Sequence, residues 1–179
     1  MKSAPAQFPE ARGGIDVLKV IPKVWSYTFS VADGTESVAQ AVDLSWFGDK
    51  GELRLEGATY SARRDKSSYF LESAAGELLA RAERPRRWFR ELVIEHSGHQ
   101  YTLRAKSALR RQFLLLEGST QIGSLTPEGL FTRKAAVDLP ATIPLFLQVF
   151  TMWLVMMLWK HDDAAIGAGA VVAIGGAGT

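Results

Sequence analysis

Twenty-one consecutive residues, Leu139 to Trp159 (LPATIPLFLQVFTMWLVMMLW), carry no charge, and from Leu145 to Trp159 only Gln148 and Thr151 are polar. Pro144 suits a first helical turn, where a missing N–H is no loss. Lys160 and His161 suit a helix C-terminus. The pattern predicts a helix over about 141–160. A helix apolar on every side must be surrounded, either by lipid or by protein. About 20 residues is also the length of a membrane span. Hydropathy alone leaves both surroundings open.

Upstream of this run the periodicity is that of strands. Trp25, Tyr27, Phe29 and Val31 alternate with Ser26, Thr28 and Ser30, a period of two with one buried face. Turn signals recur at Asp33-Gly34, Gly48 to Gly51, Gly57, Ala75-Gly76, Ser97-Gly98, Glu117-Gly118 and Glu128-Gly129. Short strand candidates lie between them, and no helical period of useful length precedes Pro140. This predicts an antiparallel meander of about 10–12 strands. A repeat supports it. Phe29, Phe70 and Phe113 are each followed nine residues later by Val38, Leu79 and Ile122, with Gly34, Gly76 and Gly118 between; Gly57-x-x-Tyr60 recurs as Gly98-x-x-Tyr101. Eight strands fill their own barrel, whereas about twelve leave room for a plug. The expected fold is therefore mainly β: a closed antiparallel barrel of about twelve strands enclosing the hydrophobic C-terminal helix. Phe146, Phe150, Trp153, Met156 and Trp159 would form the plug. Residues 1–14 read as a flexible leader, 15–160 as the barrel domain, and 161–179 as a flexible Ala/Gly-rich tail.

The run from Leu125 to Trp159, with Phe131-Thr132-Arg133-Lys134, Asp138-Leu139-Pro140 and the long apolar helix, resembles the end of a tubby C-terminal-like domain. It is similar to the LURP-one-related and phospholipid scramblase branch of that superfamily, over about 15–160. The resemblance implies a closed barrel threaded by its C-terminal helix and an association with phospholipid membranes. The chain has no clear match to the tubby phosphoinositide motif or to a scramblase calcium loop. Lipid identity and calcium dependence are therefore not implied.

No nucleophile elbow, phosphate-cradling glycine loop or H-E-x-x-H is present, so a non-enzymatic module without cofactor is expected. The absence of cysteine excludes disulfides and thiolate metal sites. His96 and His99 flank a turn, and no metal site is expected there. MKSAPAQFPEARGG has no apolar core and is not a secretory signal, which points to a cytoplasmic location with peripheral membrane contact. Charge is uneven. Residues 63–111 hold 12 basic and 6 acidic groups, against 6 and 8 before them and 3 and 5 after. Arg63, Arg64 and Lys66 are expected in one loop; Arg84, Arg86, Arg87 and Arg90 surround Trp88-Phe89; Arg104, Lys106, Arg110 and Arg111 form a third group. Arginine beside tryptophan suits phosphate headgroups at an apolar interface. Successive loops of a meander alternate between ends, so these groups need not share a surface. A net charge of +2 argues against nucleic acid as the partner. The expected function is a binding or scaffold module on anionic phospholipid. The alternatives are a tail-anchored protein with a cytoplasmic β domain, oriented by Arg133 and Lys134, and a protein-interaction scaffold without a lipid role.

Overall fold

The computed structural model describes residues 18–22, 29–33, 36–42, 50–55, 57–85, 90–107, 111–128 and 135–172; for 18–42 other than Lys19, and for 160–172, it describes the backbone alone. The protein is mainly β, one antiparallel sheet followed by one helix. The strands are β1 (Leu18–Pro22), β2 (Phe29–Asp33), β3 (Glu36–Val42) and β4 (Lys50–Leu55). There follow β5 (Ala58–Asp65), β6 (Ser68–Ser73), β7 (Leu78–Glu83) and β8 (Glu91–His96). The last four are β9 (His99–Ala105), β10 (Phe113–Glu117), β11 (Thr120–Pro127) and β12 (Ala135–Asp138). Each strand pairs with its neighbours in sequence, and β1 also pairs with β12, with Leu18 opposite Val137 and Val20 opposite Ala135.

Alternation decides which face looks inward. Leu53 and Leu55, Tyr69 and Leu71, Leu92 and Ile94, and Phe113 and Leu115 are buried, while the residues between them stay at least partly exposed. The repeated glycines close hairpins. Gly57, Gly76, Gly98 and Gly118 all have positive φ, which costs little without a side chain. At Ser97-Gly98 both central residues are left-handed (φ 48° and 80°), the geometry that matches strand twist. A register shift recurs in the β2–β3, β6–β7 and β10–β11 hairpins, so the repeated unit has a shared irregularity. The phenylalanines of the repeat are not equivalent, however. Phe113 is fully buried, whereas Phe70 is partly exposed on the other face. The β6–β7 turn is longer, which shifts the alternation.

The helix α1 (Leu145–Val172) packs its first half, Phe146 to Trp159, against the inward-facing residues of the sheet. From Phe146 to Val155 every residue is buried, so no side of the helix faces solvent over nearly three turns. Both polar residues are satisfied locally. Gln148 donates from Nε2 to the Ile143 carbonyl (2.8 Å), and Thr151 donates from Oγ1 to the Leu147 carbonyl (2.8 Å). Of the expected plug, Phe146, Phe150, Trp153 and Trp159 are buried and Met156 is partly exposed. Small strand residues make room for large helical ones. An added Cβ at Gly51 would lie 2.6 Å from the Trp153 indole nitrogen, and Ala62, Ala80 and Ala82 are fully buried on the inner face. Protein atoms cover residues 146–155 on every side. Among the described residues no helix is long and apolar enough to cross a membrane.

Two expected boundaries need correction. The helix starts at Leu145 rather than 141, because the Pro144 carbonyl accepts from Leu147 and Gln148 and a turn closed by Ile143 N–H to Pro140 C=O precedes it. It continues to Val172, so 161–172, expected in the tail, are helical. Extending a formed helix avoids the nucleation penalty, and Ala164, Ala165, Ala168 and Ala170 are strong helix formers. The expected leader (1–14) and residues 173–179 lie outside the described residues.

Trp153 fills the space opposite Gly51, and its indole N–H has no hydrogen-bond partner among the described residues. Trp153→Ala should therefore cost about 3–5 kcal/mol in urea unfolding. Trp153→Phe should cost clearly less, since it keeps a ring while removing an unsatisfied donor. Gly51→Ala should also destabilise, by steric overlap.

Candidate interaction end and a cleft at the opposite end

The antiparallel order sends the connections β5–β6, β7–β8, β9–β10 and β11–β12 to one end of the sheet. Two strands separate each basic group from the next, so the alternation returns every one of them to that end. Backbone bonds tie the groups together: Arg84 N–H donates to Ser67 C=O (3.2 Å), and Ala105 N–H donates to Arg90 C=O (2.9 Å). The described connecting residues here include Lys66, Arg84, Arg90, Lys106 and Arg111, against one acid, Glu128. At the opposite end the described connections hold Glu77 and no basic residue. The helix runs from that opposite end to the basic one. Phe146 near its start stacks on Tyr60 and meets His96, while Trp159 donates from its indole to the Arg111 carbonyl (3.0 Å).

The basic residues divide into two kinds. Arg64, Arg90 and Arg111 fold back over the core, their guanidinium carbons 5.7 Å above Tyr69, 5.3 Å above Phe113 and 5.5 Å above Trp159. They lay apolar stems and a ring-facing charge over the aromatic rim. Lys66 and Lys106 are exposed and Arg84 is half-exposed, and no ion pair among the described residues engages them. Lys66 has a positive φ (56°) in the β5–β6 turn.

The expected single loop of Arg63, Arg64 and Lys66 is corrected. Arg63 and Arg64 belong to β5, where adjacent side chains point to opposite faces. On the outside, Arg63 is held by Glu72 (2.8 Å) with its guanidinium 4.3 Å from the Phe70 ring centroid. Arg104 is likewise held by Glu91 (2.8 Å). Arg86, Arg87 and Arg110, with Trp88 and Phe89, lie outside the described residues.

An open cleft of about 610 Å³ lies at the opposite end, between the β8–β9 turn, β10, β11 and the stretch leading into the helix. His96, His99, Tyr101, Glu117, Ile122 and Ile143 are among its walls. His96 Nδ1 lies 2.6 Å from the Leu79 carbonyl, which can only accept, so Nδ1 carries a proton. His99, directly opposite His96 across the hairpin, stacks on Tyr101 and approaches Glu117 (3.4 Å). Among the described residues no group of three or more His, Asp or Glu is arranged to hold a metal ion. Burial, and after it the nearby Glu117 carboxylate, raises the Tyr101 hydroxyl above its ordinary range. No sequence signal marks this cleft, because pairing brings together three distant segments.

No family model, curated protein or solved structure matches the chain.

A phenol held protonated by the fold contributes stability below its ordinary pKa of about 10, and that contribution is lost as pH rises through the higher folded value. Stability should therefore fall above about pH 10. Tyr101→Phe should flatten that fall, as read by urea midpoints across the alkaline range.

Proposed function

We propose that the protein is a non-enzymatic module that docks on anionic phospholipid membranes through its basic end. We read its fold as a closed twelve-stranded barrel around the helix, of the tubby C-terminal-like kind that the sequence resembles over about 15–160. The pairing of β1 with both β2 and β12 supports the closed arrangement. One observation carries the functional reading: strand order gathers on a single end basic residues that sequence separates into several groups. Lys66, Arg84 and Lys106 are the described cations there without a protein partner, and so are the ones offered to phosphate headgroups. In the sequence, the segments between these strands also hold Arg86, Arg87, Arg110, Arg133 and Lys134, together with Trp46 and Trp88, all outside the described residues. Arginine, lysine and tryptophan together suit the boundary between water and lipid.

Near an anionic leaflet each basic residue is worth about 1 kcal/mol. Reversing Lys66, Arg84 and Lys106 to Glu should remove at least about 3 kcal/mol, or roughly 100-fold in vesicle affinity. Arg54→Glu, in a strand outside this end and already paired with Glu52 (2.6 Å), should change little. Co-sedimentation with vesicles of equal parts phosphatidylserine and phosphatidylcholine, at low and high salt, measures this. Equal pelleting with neutral and anionic vesicles, or none with either, would contradict the lipid reading and favour a protein scaffold.

A further inference from the structure

The helix does not stop where the sheet stops. Trp159 marks the rim of the basic end by its bond to the Arg111 carbonyl, and α1 runs on from there through Val172. At 1.5 Å per residue the thirteen residues 160–172 reach about 20 Å beyond that level. Their composition changes within two turns. Lys160, His161, Asp162 and Asp163 come first, then nine residues without charge, Ala164 to Val172 (AAIGAGAVV). Gly167 and Gly169 weaken a helix in water. In hydrocarbon the balance reverses, because every backbone N–H and C=O must be bonded internally. Nine helical residues span about 13 Å, close to one leaflet of a hydrocarbon core about 30 Å thick.

We propose that residues 164–172 enter a single leaflet of the anionic bilayer, as a short peg surrounded by the basic end. The inference rests on the membrane reading above. Charge selects the partner: a peg emerging among Lys66, Arg84 and Lys106 is presented to anionic lipid. The turn from Lys160 to Asp163 then lies at headgroup depth, with the basic loops beside it. The peg holds the protein through apolar contact that salt does not screen, whereas the basic loops supply an attraction that salt does screen.

The chain has no cysteine, so Val171→Cys in the full-length protein accepts one environment-sensitive fluorophore. With vesicles of equal parts phosphatidylserine and phosphatidylcholine, emission should move to shorter wavelength and lose its quenching by aqueous iodide. Adding Ile166→Asp should abolish that shift while low-salt co-sedimentation persists. Sedimentation without any spectral change would overturn the peg and leave the docking reading standing. No sedimentation would overturn both. A shift that appears without vesicles and grows with protein concentration would mean that a second copy covers the helix, and would overturn the peg as well.

Discussion

A helix that is apolar around its whole circumference leaves a sheet little choice but to surround it, and the rest of the molecule follows from that enclosure. The helix brings Phe146, Phe150, Trp153 and Trp159 into the interior, so the strands facing it must give up volume. They do so at Gly51, Ala62, Ala80 and Ala82, and a methyl added at Gly51 would meet the Trp153 indole. Close-packed interiors respond to changes of this size. The two polar residues in the helix survive burial because each donates to a carbonyl in the preceding turn or segment.

Enclosure also gives the molecule two unlike ends. The helix enters beside His96 and Tyr60, where tight glycine turns and Glu77 lie, and leaves beside Arg111, where the basic connections gather. Arg64, Arg90 and Arg111 cover the aromatic rim there, leaving Lys66, Arg84 and Lys106 as the charges offered outward. This separation of rim-covering arginines from unengaged cations is what gives the docking proposal specific residues.

Much of the architecture was legible in the residues. Period-two alternation and glycine turns outlined the strands, and the uncharged run from Leu139 identified the core helix. Four things were hidden, for physical reasons. Arg63 and Arg64 read as loop because both are charged, yet a strand can place one outside against Glu72 and Phe70 and the other over the rim. The gathering of the basic groups depends on the parity of the strands between them, which only exact pairing reveals. The continuation to Val172 was obscured by Gly167 and Gly169, since propensity measures a helix starting in water rather than one extending a buried helix. The cleft by His96 and Glu117 needs contacts between segments far apart in the chain, and local patterns carry no trace of those.

Native-state hydrogen exchange, resolved by residue, tests the enclosure most directly. If the sheet and helix form one unit, amides from Phe150 to Leu158 and those of the strands flanking Leu71, Leu92 and Leu103 should exchange only through global unfolding, with the same free energy. Helix amides exchanging at markedly lower free energy, while the strand amides keep the global value, would show a sheet that stands without its helix and would contradict the account.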